Sequence, residues 1–308
     1  MLRIENDHWI ALINPEQGAE LASLRLVEEN LELLYRAGDY RPIAGWQGRA
    51  PLLWPAVGRN FTARQLEEIC TGHGDSRLGS YRYGDREYPM PIHGFVNRLT
   101  WQPKTLTPTE VTLAAEDDAN SRVFFPFGFR VMCRYLLRAA SLLLEVEVSA
   151  KEEVLPFSIG NHITVAVPCA YDHVLLATPA RKRMLLSPWG LLTGEELPVD
   201  YSLPTPFVQI DLADGVLGGY CQDQCFVDLQ LGTHRFRIGQ RAWSSRPSLL
   251  KDEDFLFVFY ASKEKGFICP EPWLGRPNSF NTGEGLILLP PGEKFSWEME
   301  VAFLGTYR

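Results

Sequence analysis

The strongest constraint on this chain is a period of two. In residues 129–137, FRVMCRYLL, Phe129, Val131, Cys133, Tyr135 and Leu137 share one side and Arg130 and Arg134 the other. Only an extended strand with one buried face keeps that alternation. After a short connection at Ala139 and Ala140, SLLLEVEVSA (141–150) resumes it, with Leu142, Leu144, Val146 and Val148 opposed to Glu145 and Glu147. The two segments read as a hairpin. Further short strands are expected at 110–115, 163–167, 207–212, 225–231, 234–239 and 255–260. The final segment, KFSWEMEVAFL (294–304), sets Phe295, Trp297, Met299, Val301 and Phe303 against Ser296, Glu298 and Glu300. Pro103, Pro108, Gly232, Pro290, Pro291 and Gly292 fall between these segments as turn signals. Helical periodicity is nearly absent. The exception is TARQLEEIC (62–70), where Thr62 stands as a cap for a short helix.

No fixed-period repeat, low-complexity tract or compositional break marks a linker. Many strands joined by short turns predict an all-β fold, a large antiparallel sandwich over residues 1–308, with two smaller β domains as the alternative. At 308 residues, with 45% hydrophobic and 22% charged residues, the chain is long and apolar enough for a sizeable core.

Charge narrows the partners. The formal net charge is −8 and no run of Lys and Arg appears, which argues against nucleic acid, whose binding depends on clustered cations. Arg77, Arg82 and Arg86 alternate with Asp75, Asp85 and Glu87 as on a solvated loop. The first residues carry charge from position 3 without an uninterrupted apolar run, and no apolar stretch reaches spanning length. A cytoplasmic protein without a membrane partner is therefore expected; the oligomeric state is not readable. Six scattered cysteines (70, 133, 169, 221, 225 and 269) read as reduced thiols. Cys221 and Cys225 lack the second ligand pair that a structural zinc site needs.

Three segments place polar residues in apolar or Pro/Gly-rich surroundings. In Pro-Ile-His-Gly-Phe, His93 follows a rigid proline segment and precedes a glycine, either as an imidazole exposed to a ligand or as a hydrogen-bonded loop histidine. His162 follows Gly160 and Asn161 at the start of the apolar run 163–167, where a buried ring must be satisfied or functional. Glu271 stands between Pro270 and Pro272 beside Trp273, so its backbone is fixed and its carboxylate has an apolar neighbour. A turn-stabilising glutamate is the plainer alternative.

Taken together, GAELASLRL (18–26), LLWPAVGRN (52–60), YPMPIHGF (88–95), FFPFGFR (124–130), Gly160-Asn161-His162, CPEPW with Gly275, and LPPGE (289–293) resemble the aldose 1-epimerase, or galactose mutarotase-like, family in matching order. Each motif is weak alone; seven in order across the chain are specific. The resemblance implies a β-supersandwich with a sugar cleft, His162 as general acid, Glu271 as general base and His93 as the second histidine that holds the sugar. It also implies substrate contacts from Arg59, with Asn60 beside it, and from a sugar-binding aspartate, for which Asp223 and Asp228 are the candidates. Ile163 follows His162 where many members have proline.

Those residue types suit anomer interconversion. O1 must lose a proton and the ring oxygen O5 must gain one, the open aldehyde turns about C1–C2, and the ring recloses. One base and one acid suffice, each contributing roughly 10²–10⁴-fold. His93 and Arg59 would bind oxygens and Trp273 or another aromatic would cover the apolar sugar face; no metal or organic cofactor is required. The competing expectations are a sugar-binding protein without turnover, against which the presence of all three residues speaks, and a metal site built from the same trio. A glycoside hydrolase with Glu284 as second carboxylate is a weaker rival, since Asn-Thr-Gly-Glu-Gly reads as a turn. An unphosphorylated aldose is the expected substrate; a hexose 6-phosphate would need Arg59, Arg98 and Arg276 to converge.

Overall fold

A computed structural model describes residues 1–37, 46–210, 212 and 214–307. Two large antiparallel sheets dominate. In the nine-stranded sheet, the strand Ser141–Ala150 pairs with Phe129–Leu137 on one side and Lys294–Thr306 on the other. Register then lines up Leu113, Cys133, Val146 and Trp297 across four strands. All four are buried, so the alternation seen in the sequence becomes one continuous apolar face. On the opposite face Arg134 reaches Glu110 at 2.7 Å and Glu145 at 2.8 Å.

The second sheet places Phe267–Leu274 between Phe255–Ser262 and the short strand Ile159–Asn161, with Leu52–Leu53 beyond. Apolar residues from both sheets join one buried cluster, the arrangement of a sandwich. Gln240, on the strand His234–Ser244, ties the layers together. Its Nε2 donates to the carbonyls of Leu256 at 2.8 Å and Trp273 at 3.0 Å, and its Oε1 accepts from Trp297 Nε1 at 3.0 Å. A buried amide satisfied on both ends fixes the relative position of the sheets beside the strand that carries Glu271. A third, four-stranded sheet is formed by Leu2–Glu5, Trp9–Asn14, Glu20–Leu26 and Leu31–Glu32. The fold is thus an all-β, large antiparallel supersandwich.

The helix Ala63–Cys70 forms as its sequence predicts: Thr62 caps it and Gln65 closes a capping box. Two expected strands differ. In 207–212, residues Phe207–Ile210 form a single helical turn with Phe207 and Ile210 buried and Val208 and Gln209 not. An i, i+3 pair of apolar residues in so short a window fits either period; Asp211 lies outside the described residues. In 163–167, only Val165–Ala166 is extended, so His162 occupies a break between two short strands rather than the head of one. The six cysteines are free thiols. Among the described residues, no helix is long and apolar enough to cross a membrane.

Candidate active site

Every residue of the strand Phe267–Leu274 is buried, so it is covered on both faces. Ile268 and Leu274 enter the main core. The alternate positions, Phe267, Cys269, Glu271 and Trp273, face the other way. Pro270 and Pro272 flank Glu271 in mid-ladder, opposite Phe259 and Phe257. Prolines are unusual in a central strand because each gives up a ladder donor; here they fix the backbone on both sides of one carboxylate. Gly160, on the neighbouring strand, allows the close approach: a Cβ there would lie 2.7 Å from the carbonyl oxygen of Pro272.

His162 follows directly, its backbone N–H donating to the Pro51 carbonyl at 2.9 Å. Its Nε2 lies 3.4 Å from Glu271 Oε1, while its buried Nδ1 has no hydrogen-bond partner among the described residues. Glu271 Oε2 accepts from Trp273 Nε1 at 3.1 Å. Both groups are almost sealed, with 8% of His162 and 2% of Glu271 exposed. Burial raises the Glu271 carboxyl well above its usual range, against the lowering effect of the Trp273 N–H. Burial likewise lowers His162 to about 4. Each shift disfavours the charged form, and across the interval between them the pair holds one proton.

His93 is placed by backbone geometry. It adopts φ +63° and the next residue, Gly94, φ +75°. A Cβ on Gly94 would stand 2.2 Å from the Trp54 carbonyl oxygen, so only glycine lets this loop pass. The His93 Nδ1 accepts the Gly58 N–H at 3.2 Å, which leaves the proton on Nε2. Burial, then His162 and then Arg59 hold its pKa well below the ordinary histidine value, making it a neutral N–H donor. Its ring meets His162 edge-on at 5.4 Å and Trp273 at 5.6 Å. One ligating atom each from His93, His162 and Glu271 fall within 4.8 Å of one another. Three atoms so spaced share a point within hydrogen-bond distance of all of them.

Beside this trio opens a cavity of about 520 Å³ whose wall includes His93, His162, Trp46, Glu20, Arg49 and Arg98. Glu271 lies behind that wall, against His162. Trp46 packs over His162 at 5.3 Å and against Phe267 and Tyr260, yet 36% of it is exposed. Arg49 Nη1 pairs with Glu20 Oε1 at 3.1 Å in nearly complete burial, and burial raises the Glu20 pKa despite Arg49.

Of the sequence candidates, the structure brings His93, His162, Glu271 and Trp273 together. Trp273 is only 5% exposed, so its contact is with Glu271 rather than an open sugar face. Arg59 Nη1 is held by the Ser76 carbonyl at 2.5 Å and acts on His93 through its charge. Asn60 is fully buried, its Oδ1 accepting from the Phe280 backbone at 3.2 Å, which is a scaffold position. Neither aspartate reaches the cavity wall, which corrects that expectation: Asp228 is bidentate with Arg237 at 2.6 and 2.8 Å on the nine-stranded sheet, and Asp223 lies exposed in the turn Gln222–Gln224. The wall carboxylate is instead Glu20. It stands within GAELASLRL; Trp46 and Arg49 stand in Gly-Trp-Gln-Gly-Arg, a polar, glycine-broken segment of the kind that singled out the other three.

The antiparallel supersandwich is the fold of the galactose mutarotase-like class. The chain belongs to the aldose 1-epimerase family, whose model matches residues 1–302. Among solved structures it is similar to a galactose mutarotase-related enzyme from Lactobacillus acidophilus, with 18% identity, a TM-score of 0.78 and coverage of 99% of this chain and 97% of that one. A galactose mutarotase-like protein from Lactobacillus casei gives 22% identity, a TM-score of 0.77 and coverage of 98% and 99%. Galactose 1-epimerase from Lactobacillus acidophilus gives 15%, 0.70, and 99% and 94%. An uncharacterised Escherichia coli K12 protein, YihR, is 25% identical over 238 residues, 70% of this chain and 71% of its own length.

Proposed function

We propose that this chain is an aldose 1-epimerase that interconverts the α and β anomers of an unphosphorylated aldose. The observation that carries this reading is the sealed His162–Glu271 contact at 3.4 Å, with a ring nitrogen of His93 within 4.8 Å of both groups. At rest the shared proton sits on Glu271 and His162 is neutral. Moving that proton to His162 gives a carboxylate and an imidazolium without changing the pair's charge, and hydroxyl groups of a bound sugar stabilise the carboxylate. Glu271 then takes the O1 proton while His162 donates to O5, the C1–O5 bond breaks and the aldehyde forms. After rotation about C1–C2, closure on the other face returns both protons. His93 Nε2–H donates to a sugar oxygen throughout, and Trp46 offers its open face to the pyranose.

The arginines favour a neutral sugar. Arg276 is bound to Asp254 at 3.0 Å and Glu284 at 3.3 Å, and Arg59 to Ser76; of the three expected for a phosphate, only Arg98 lies on the cavity wall. The clustering of the three ligating atoms favours one second reading, a metal site. Both are tested by following freshly dissolved α-D-glucose, α-D-galactose and glucose 6-phosphate to anomeric equilibrium, with and without a chelator. The expected result is faster equilibration of a free aldose, indifferent to the chelator. Saturable binding without acceleration would identify a binding protein, and loss of activity on chelation would favour the metal.

A further inference from the structure

The reaction leaves Trp273 unassigned, and its surroundings are those of a packed core. It joins Leu53, Val57, Met184, Val216, Leu256 and Val258 in a small buried cluster on the outer side of the second sheet. Its indole N–H does not turn into that cluster. It donates to Glu271 Oε2 at 3.1 Å, two residues back on the same strand face, while Oε1 of the same carboxylate faces His162. The far edge of the indole is closed off by Gly58, where a Cβ would come within 3.2 Å of two ring carbons, and by the His93 ring.

We propose that Trp273 is a positioning residue for the reaction: its indole N–H holds Glu271 Oε2, so that Oε1 is the oxygen offered to the sugar and to His162. This rests on the epimerase reading. An indole N–H can donate but never accept, so it favours the ionised carboxylate, the form that serves as base, in a site where burial favours the protonated one. The other groups facing Glu271 are His162 and, within 4.8 Å, His93 from the adjoining loops, and the Cys269 thiol on its own strand. Val258, directly opposite on the neighbouring strand, is uncharged. Among the described residues no Lys or Arg pairs with this carboxylate, and His162 gives up its proton in the reaction, which leaves the indole as the donor that stays in place.

The test is the pH dependence of anomer exchange for wild type, Trp273→Phe and Met184→Ala. Phenylalanine keeps an aromatic ring in the cluster and removes the donor; Met184→Ala loosens the same cluster far from the carboxylate. For Trp273→Phe the alkaline limb of kcat/KM, where the pair gives up its one proton, should move up by about one pH unit, the lower end expected for a hydrogen bond to a charged group. In the same variant kcat should fall about tenfold while KM stays within about twofold. Met184→Ala should lower the melting temperature and leave the limb in place. An unmoved limb in an active, folded Trp273→Phe protein would overturn the proposal. Independently of turnover, one indole 1H–15N resonance of the wild type should titrate with Glu271 and shift in Glu271→Gln; no responding indole signal would also overturn it. A wild type without turnover but with that coupled signal would instead refute the epimerase reading alone.

Discussion

At the scale of single residues, the site is a pair of ionisable groups that burial holds neutral. For His162 the sign of the pH effect follows from its lowered pKa of about 4, against 6.5 for the unperturbed group. The unfolded chain takes up a proton as pH falls through 6.5, and the folded chain resists until about 4. The stability tied to a neutral His162 is therefore complete above 6.5 and lost as pH falls across that interval. Its size is on the order of 3 kcal/mol. The unfolding free energy of wild type should fall relative to that of His162→Gln over this window in denaturant melts, and parallel curves would show that the ring is not buried as described. His93, His162 and Glu271 were legible because each is a polar residue in a Pro/Gly-rich or apolar setting. Their mutual approach was not, since it joins positions 93, 162 and 271 through pairing that no local pattern encodes. Trp273 was legible as a neighbour of Glu271, but the direction of its N–H depends on the fold.

At the scale of elements, what positions His93 is the turn that leads into Val96–Arg98. Gly94→Ala must relieve a contact of 2.2 Å with the Trp54 carbonyl as well as a left-handed φ. A destabilisation of about 3 kcal/mol is expected, together with reduced sugar affinity as His93 shifts. Gly84→Ala is the control: its φ is +59° but a Cβ there meets nothing within 4 Å. That change should cost about 1 kcal/mol and leave activity intact; equal effects at the two sites would contradict the steric account. Legibility at this scale tracks environment. Phe129–Leu137 alternates buried and half-buried residues along its whole length and could be read directly. Gln102–Leu106 is exposed throughout and Phe267–Leu274 buried throughout; with like surroundings on both faces, neither has the contrast that produces a period of two. The strand that carries Glu271 was for that reason not expected as a strand; only its polar and proline residues drew notice.

At the scale of the molecule, the two sheets and their cross-link through Gln240 make the rear of the site rigid, while the cavity side is built from loops. The order of seven motifs along the chain matched the family over its whole length, and the fold followed. The cavity wall was less accessible, because Glu20, Trp46 and Arg49 reach it from segments distant in sequence from all three of the central residues. If Glu271, sealed against His162 and held by Trp273, is the base we propose, its amide must fail in the reaction. Saturation-transfer NMR on an equilibrated aldose, comparing wild type with Glu271→Gln, tests it most directly. Anomer exchange is expected in wild type and a loss of roughly 10²–10⁴-fold in the variant, with sugar binding retained; exchange at the wild-type rate in Glu271→Gln would rule out Glu271 as the base.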